Sequence, residues 1–222
     1  MTPTQQTSVE RLMWVLVLLT VVVFSVGRFL DLIWLAVFTK PLPVLIFAYL
    51  VRSWSSDAYG NRLAAGFVCS AVGDTLLEIP ENLFVFGLAS FFIAHVFYIA
   101  AFVSRARHLA ALGAVPFFGW CGGMYLWMSP SLGDLRIPVA AYVVVIGTMM
   151  WRASALVRQG SRSTYYAFTG AVTFAFSDSL IAVDKFVAPI EAAGFFIMVT
   201  YWVAQLLLVL SAKPQWTKIA NQ

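Results

Sequence analysis

The chain has 222 residues, of which 61% are hydrophobic and only 11% are charged, and its mean hydropathy is +0.86. Soluble domains carry about 25% charged residues, so this composition excludes a soluble globular protein. The formal net charge of +4 comes from basic residues that flank apolar runs, a placement that indicates membrane topology rather than nucleic-acid binding. Residues 1–222 are therefore predicted to form a single integral-membrane domain that contacts membrane lipids and no nucleic acid.

Eight apolar runs are each long enough to cross a bilayer as an α-helix, which needs roughly 20 residues. The first run lacks a cleavage site of small residues, so we expect a retained span rather than a signal peptide. Lys40, Pro41 and Pro43 interrupt the second run, where we expect a kink, because neighbouring helices satisfy the carbonyls that proline frees. The predicted fold is an all-α membrane protein with eight transmembrane helices at 11–28, 32–51, 61–79, 82–103, 108–128, 137–157, 163–183 and 191–211.

Basic residues divide unequally between the two sides that these spans define. The side that holds both termini has ten lysines and arginines, and the other side has four. The positive-inside rule then places both termini in the cytoplasm. All connecting loops are short, which favours a bacterial inner membrane, and no feature indicates an oligomeric state. The ten are Arg11, Arg52, Arg62, Arg105, Arg107, Arg152, Arg158, Arg162, Lys213 and Lys218, and the four are Arg28, Lys40, Arg136 and Lys185.

The cysteines and histidines are few and scattered. Cys69 and Cys121 both lie inside apolar runs, which excludes a disulfide framework, and the only histidines are His95 and His108. A catalytic zinc ion needs about three protein ligands. The sequence therefore predicts neither a metal site nor a cofactor.

Two acidic residues, Asp74 and Asp178, lie within predicted spans. A charged side chain at membrane depth costs about 3 kcal/mol even on insertion scales, so an intramembrane acid is a candidate functional residue. The alternative is that each acid pairs with a base to hold helices together. Lys40 is the only plausible intramembrane base and cannot neutralise both acids, which favours a functional role for the pair.

The three ionisable groups fall at similar depths on one side of the membrane. Counted from the span ends, Asp74 and Asp178 lie about 8–9 Å below the surface of the non-cytoplasmic side, and Lys40 lies about 12 Å below it. This placement predicts one polar cavity that opens towards that side.

The chain resembles an internal duplication. Shifted by 104 residues, Gly73–Leu77 aligns with Ser177–Ile181, and a Phe-Phe-Ile triplet follows each aspartate at the same spacing. The two units cross the membrane in the same direction, so we predict a parallel 4+4 repeat about an axis along the membrane normal. Chance matching of apolar helices is the alternative.

Polar residues in the spans that follow each aspartate fit the same cavity. Phe91, His95 and Tyr98 share one helical face, and Tyr201 and Gln205 are separated by one turn. A lone histidine is more often a packing residue than a catalyst, and the tyrosine and glutamine suit hydrogen bonds between helices equally well.

These residues, taken in order over about residues 38–211, resemble the YhhN-like lysoplasmalogenase family. The resemblance implies an eight-span hydrolase that cleaves the vinyl-ether bond of lysoplasmalogens with water, giving a fatty aldehyde and a glycerophospho-base. The motifs that carry it are Lys40-Pro41-Leu42-Pro43, Gly73-Asp74-x-x-Leu77, Gly87-x-x-x-Phe91-x-x-x-His95-x-x-Tyr98, Ser177-Asp178-Ser179-Leu180 and Tyr201-x-x-x-Gln205.

Vinyl-ether hydrolysis suits a pair of carboxyl groups. One carboxylic acid protonates the β-carbon, and one carboxylate stabilises the resulting oxocarbenium ion and orients water, as in glycosidases. Asp74 and Asp178 are the predicted catalytic pair, and the sequence leaves open which of them is the acid. Lys40 is predicted to bind the substrate's phosphate. The other predicted substrate-binding residues are His95, Tyr98, Tyr201 and Gln205.

Three other classes of protein also use or tolerate buried acids. A proton-coupled transporter suits parallel repeats and buried carboxyl groups, and it is the main alternative. An intramembrane aspartyl protease is disfavoured because Ala71 precludes a Gly-x-Gly-Asp motif at Asp74. A purely structural or partner-binding protein leaves the matched aspartate motifs unexplained. Hydrolysis in detergent, where no second compartment exists, separates an enzyme from a transporter.

Overall fold

The computed structural model describes residues 3–81, 83–108 and 111–214. Within these ranges the chain forms α-helices, short turns and three short 3-10 helices, without any β-strand, so the all-α prediction is confirmed. The α-helices of the described ranges are α1 (Pro3–Phe29), α2 (Ile33–Thr39), α3 (Leu42–Trp54), α4 (Ala58–Glu78), α5 (Phe84–Arg105), α6 (Val115–Met128), α7 (Arg136–Val157), α8 (Arg162–Phe186) and α9 (Ala193–Leu210).

Each predicted span coincides with helix, although several bounds differ. The fifth span, predicted at 108–128, is shorter than expected, because α6 begins at Val115 after the 3-10 helix Ala111–Ala114. Pro116 lies in the first turn of α6, where its missing N–H leaves no hydrogen bond unmade. Residue 82 and residues 109–110, where the fourth and fifth predicted spans begin, lie outside the described ranges.

The second predicted span consists of α2 and α3, with the interruption at Lys40 and Pro41. Both residues keep right-handed helical backbone angles, so the chain continues in nearly the same direction. Pro41 and Pro43 lack the N–H groups that would bond the carbonyls one turn earlier, which ends α2 at Thr39. The helix is therefore interrupted where the kink was expected, and Lys40 lies at the junction of α2 and α3.

Six helical segments are long and apolar enough to cross a membrane: Ser8–Phe29, Ile33–Trp54, Phe84–Arg105, Gly133–Val157, Arg162–Phe186 and Ala193–Leu210. Two of the described helices do not meet these requirements. The 14 residues of α6 are too few to cross a membrane, and the charged residues of α4 lower its mean hydropathy. Large apolar side chains face outwards, including Leu18, Phe38 and Ile137, which are 68%, 69% and 82% exposed. Such a surface suits lipid rather than water, and the chain is an integral membrane protein.

At one end of the bundle, polar contacts join the start of α4, the end of α5, the start of α8 and the end of α9. Tyr59 and Ser211 hydrogen-bond through their hydroxyls at 2.6 Å. Arg105 donates to the Ser163 hydroxyl at 2.9 Å and to the Ser211 carbonyl at 3.2 Å. We call this end the Ser211 end. The helices α4 and α5 therefore run in opposite directions, as do α8 and α9.

Both extremities of the described chain lie at the Ser211 end, because Lys213 after α9 bonds Glu10 of α1 at 2.6 Å. The opposite end is marked by Glu78 at the end of α4. Its carboxylate pairs with Arg28 at the end of α1 and with Lys40 at the start of α3, at 3.1 and 2.8 Å. We call this end the Glu78 end.

The two tightest helical hairpins are α4–α5 and α8–α9, and a glycine lies at the same position in each. A Cβ added at Gly66 would lie 2.3 Å from the Tyr98 ring, and one added at Gly170 would lie 3.2 Å from the Ala204 carbonyl oxygen. Gly66 and Gly170 are separated by the 104 residues of the proposed repeat. The matched phenylalanines differ, because Phe91 is 6% exposed and Phe195 is 66% exposed.

Candidate active site

Asp178 lies near the middle of α8 with its carboxyl group turned towards α5 and α7. Its Oδ2 accepts a hydrogen bond from the Tyr142 hydroxyl at 3.1 Å and lies 3.6 Å from His95 Nε2. Only 12% of the Asp178 side chain is exposed, whereas the His95 side chain is fully buried. The predicted catalytic residue Asp178 and the predicted substrate-binding residue His95 are therefore neighbours.

The hydrogen bonds of His95 restrict where its proton lies. Nδ1 lies 2.6 Å from the Phe91 carbonyl oxygen, which can only accept, so Nδ1 carries a hydrogen. Nε2 has no hydrogen-bond partner within the described residues and faces the Asp178 carboxyl group. At 3.6 Å the two atoms are too far apart for a direct hydrogen bond, and His95 Nε2 is the nitrogen of the ring that faces the carboxyl group.

Asp74 lies in a separate, almost fully buried position on α4. Its residue exposure is 2%, and its Oδ2 accepts a hydrogen bond from Tyr201 of α9 at 2.7 Å. The charges of Lys40 and Glu78 both act on it. Each aspartate is thus held by a tyrosine from a different helix, Asp74 by Tyr201 and Asp178 by Tyr142.

Aromatic rings fill the space between the two acid positions. The Phe174 ring packs edge to face on His95 at 4.7 Å and on Tyr201 at 5.5 Å between ring centroids. The Phe91 ring lies 5.9 Å from Tyr201 and 6.1 Å from Phe174. These rings form an apolar wall with the Asp178 site on one side and the Asp74 site on the other.

Within the described residues, the cavity that Asp178 lines has neither Asp74 nor Lys40 on its wall, unlike the predicted polar cavity that joins all three. This cavity of about 70 Å³ lies between α5, α6, α7 and α8 in the half nearer the Glu78 end. Its walls are almost entirely apolar, and Asp178 is the only charged residue that lines it among the described residues. The prediction was wrong because the aromatic residues of α5, α8 and α9 close the space between the acids, which depth alone could not reveal.

Tyr98 and Gln205, two further predicted substrate-binding residues, contact each other away from this cavity. The Tyr98 hydroxyl donates to Gln205 Oε1 at 3.2 Å and lies 3.0 Å from the Ser70 hydroxyl. All three side chains are buried. Gln205 Nε2 has no hydrogen-bond partner in the part of the chain that the structure describes. Their arrangement joins α4, α5 and α9, and their contact with substrate stays a prediction.

Lys40 points to α4, where it bonds Glu78 at 2.8 Å with only 10% of its side chain exposed. From the sequence, Lys40 was the only plausible intramembrane base for Asp74 and Asp178, and Glu78 was given no role. Glu78 lies one helical turn after Asp74, and this spacing was the signal that could have identified it. Tyr142 was also missed, since nothing in the sequence distinguishes it from other tyrosines at helix surfaces.

Within the described ranges, no three His, Cys, Asp or Glu side chains lie close enough together to hold a metal ion. The residues that line the cavity supply the Asp178 carboxyl group, the Tyr142 and Ser179 hydroxyls and the Cys121 thiol, and the His95 imidazole lies next to Asp178. Such groups transfer protons and orient water.

The fold and this site define a multi-pass α-helical membrane protein with a carboxyl group at the wall of an internal apolar cavity. The chain belongs to the YhhN family, whose family model matches residues 35–212.

The chain is similar to proteins named lysoplasmalogenase. It is 37% identical to human lysoplasmalogenase TMEM86B over 188 residues, which cover 82% of this chain and 77% of that protein. Pig lysoplasmalogenase TMEM86B is 35% identical over 184 residues, covering 80% and 75%. A lysoplasmalogenase of Mycobacterium tuberculosis (strain CDC 1551 / Oshkosh) is 35% identical over 155 residues, covering 66% and 58%. No solved structure matches the chain.

Proposed function

We propose that this protein is a lysoplasmalogenase, which hydrolyses the vinyl-ether bond of a lysoplasmalogen to a fatty aldehyde and a glycerophospho-base. The observation that carries the proposal is the apolar cavity whose wall contains the single carboxyl group of Asp178. An apolar cavity in a membrane protein suits a lipid substrate, and the carboxyl group supplies a proton donor at its wall. The relatives named lysoplasmalogenase point to the same substrate class.

Asp178 acts as the acid in this proposal because it lines the cavity. Its carboxyl proton adds to the β-carbon of the vinyl ether, leaving an Asp178 carboxylate and an oxocarbenium ion. Water attacks the α-carbon and gives its proton to the carboxylate or to His95 Nε2, which lies 3.6 Å from Oδ2. The hemiacetal then loses the glycerol oxygen, which takes up a proton, and the aldehyde leaves. The net change is addition of one water and cleavage of one carbon–oxygen bond.

Asp74 supplies the second carboxyl group of the proposed mechanism and acts from behind the aromatic wall. Its negative charge favours positive charge that develops on the substrate side of Phe174 and Tyr201. Tyr201 connects it to the wall, since the Tyr201 hydroxyl bonds Asp74 and the Tyr201 ring packs on Phe174. The proposed order of roles is thus direct proton transfer by Asp178 and longer-range stabilisation by Asp74.

The proposed topology has eight crossings, with both termini in the cytoplasm of a bacterial inner membrane. The bond between Lys213 and Glu10 supports it by joining both extremities of the described chain at the Ser211 end. The distribution of basic residues supports the orientation, although Lys218 lies outside the described residues. The proposed parallel repeat is supported by the positions of Gly66 and Gly170, which are 104 residues apart and each face the next helix of their hairpin, at Tyr98 and at Leu207.

Aldehyde release tests the proposal. Full-length protein purified in detergent is incubated with an alkenyl lysophospholipid, and the aldehyde is measured against time. Release above the level without protein supports hydrolysis, and its absence from folded protein overturns it. A transporter would give no product in detergent, and that alternative receives no support from the relatives described above.

A further inference from the structure

Lys185 is a cation at the Glu78 end of the Asp178 cavity that the mechanism has not used. Lys185 follows Asp178 by seven residues on α8, which is within about 20° of two full turns, so both lie on one helix face. Ala182, between them on this face, lines the cavity. The Lys185 Nζ lies 4.2 Å from the centroid of the Phe84 ring, which also lines the cavity.

Lys185 is available to an anion. Its side chain is exposed, and it has no ion pair within the described residues. The adjacent Asp184 accepts a hydrogen bond from the Ile190 backbone N–H at 2.8 Å, so its carboxylate is bound to the loop that follows α8. By contrast, Lys40 is buried and already paired with Glu78. The positive charge of Lys185 is therefore unpaired within the described residues, whereas the positive charge of Lys40 is neutralised by Glu78.

The separation between Asp178 and Lys185 matches the proposed substrate. The two residues are separated along the α8 axis by about 10.5 Å. In a lysoplasmalogen, seven bonds join the phosphorus atom to the vinyl-ether β-carbon, and at about 1.2 Å per bond an extended chain spans about 8 Å. The remaining distance falls within the reach of the lysine and aspartate side chains. A phosphate at Lys185 thus places the β-carbon beside Asp178.

We propose, on the basis of the proposed function, that Lys185 binds the phosphate of the lysolipid and that Lys40 serves to neutralise Glu78. The phosphate then remains at the membrane surface, as its charge requires, and the glycerol segment enters the cavity. This assignment replaces Lys40 as the phosphate ligand. It applies equally to choline and ethanolamine lysolipids, because both carry the same phosphate.

Kinetics of two substrates test this assignment: an alkenyl-glycerophosphoethanolamine and the matching alkenylglycerol that lacks the phosphate. Lys185→Met should raise KM for the phosphorylated substrate roughly tenfold with kcat retained, since a charged hydrogen bond contributes about this factor. Alkenylglycerol kinetics should not change. Lys185→Arg should restore most of the affinity. The matched control is Lys213→Met, because Lys213 also lies over an aromatic ring, Trp54 at 5.2 Å, but at the Ser211 end.

A normal KM in Lys185→Met overturns the proposal, as does an equal loss for both substrates. A selective rise of KM in Lys40→Met with none in Lys185→Met restores Lys40 as the phosphate ligand. Calorimetric binding of a non-hydrolysable alkyl-ether lysolipid separates this inference from the proposed function. If wild-type protein hydrolyses nothing but binds this lysolipid through Lys185, only the proposed function fails. If it hydrolyses the substrate and Lys185→Met binds the lysolipid normally, only the present inference fails.

Discussion

At the residue scale, the proposed chemistry depends on His95 Nε2, which lies 3.6 Å from Asp178 Oδ2. His95 Nδ1 is committed to the Phe91 carbonyl oxygen, so in the proposed mechanism Nε2 is the nitrogen that exchanges a proton with the carboxyl group. A carboxylic acid that donates to an apolar alkene must regain its proton without ready access to bulk water. Nε2 offers a second position for this proton next to the carboxyl group, which a solitary buried acid would lack.

Replacing either aspartate by asparagine should abolish hydrolysis and leave the protein folded. Asp178→Asn removes the proton donor, and we expect kcat to fall about a thousandfold, as is common for loss of a general acid. Asp74→Asn removes the second negative charge and should also inactivate. Asparagine keeps the shape of each side chain and removes a buried carboxyl group, so thermal stability should hold or rise.

Asp134→Asn is the matched control for these two variants, because Asp134 is exposed in a short 3-10 helix at the surface. It should hydrolyse at the wild-type rate. Turnover near the wild-type value in Asp178→Asn would refute the proposed acid. Combined loss of activity and of the folded state in either buried variant would instead indicate that the acid holds the helices together.

Removing the hydroxyl group from each of the two tyrosines that donate to the aspartates compares the roles of Asp178 and Asp74 through the same chemical change. Tyr142→Phe removes the hydroxyl that donates to Asp178, and Tyr201→Phe removes the one that donates to Asp74. Because only Asp178 contacts substrate in the proposed mechanism, Tyr142→Phe should lower kcat about tenfold with little change in KM. Tyr201→Phe should have the smaller effect. The opposite order in steady-state kinetics would assign the acid role to Asp74.

Sequence predicts the residue types of this site better than their partners. Asp74 and Asp178 stand out because charge is costly in a membrane, and this argument needs no structure. The tyrosine beside Asp178 is Tyr142 of α7, a residue that no spacing rule links to it. The separation of the acids depends on how the Phe91 and Phe174 rings pack, and helix depth fixes only one of three coordinates.

At the element scale, close packing of α4 on α5 positions the aromatic wall and His95. Gly66 admits the Tyr98 ring, and Gly73 admits the Phe91 ring at 2.7 Å from an added Cβ. By contrast, an added Cβ at Gly119, Gly122 or Gly123 of α6 would meet nothing within 4 Å. The opposite side of α6 contacts α7, where Phe118 and Cys121 lie beside Gly147.

Gly66→Ala should therefore destabilise the protein. The new methyl group would overlap the buried Tyr98 ring, and overpacking of this kind costs about 1–3 kcal/mol. Gly119→Ala is the matched control on α6 and should be neutral or slightly stabilising, because alanine favours helix by about 1 kcal/mol over glycine. Thermal unfolding in detergent measures both. Equal melting temperatures for the two variants would contradict the packing described for α4 and α5.

Element bounds are predictable where the sequence contains the terminating residue. Pro41 marks the interruption of the second span, and the structure has α2 end at Thr39 and α3 begin at Leu42. The late start of α6 at Val115 was not predicted, because Ala111–Ala114 is as apolar as the helix it precedes and hydropathy alone does not distinguish 3-10 from α-helical backbone. Apolar runs thus locate helices along the chain but not where each helix begins.

At the scale of the whole molecule, the proposed orientation places the Glu78 end of the Asp178 cavity on the non-cytoplasmic side. Reporter domains fused to the N-terminus and to the C-terminus should both be active in the cytoplasm. This result is expected because the two extremities of the described chain meet through Lys213 and Glu10. A reporter fused between α8 and α9 should be active on the opposite side. Termini found on opposite sides would remove one crossing from the proposed topology.

The origin of the hydrogen added to the product tests the central claim most directly. Purified full-length protein is given an alkenyl lysophospholipid in deuterated water, and the aldehyde is reduced to an alcohol as it forms. Proton transfer from Asp178 to the β-carbon predicts one deuterium at carbon 2 of the alcohol, and no product from Asp178→Asn. Pre-formed aldehyde carried through the same procedure controls for exchange. Product without deuterium at carbon 2, or normal labelled product from Asp178→Asn, would contradict the account.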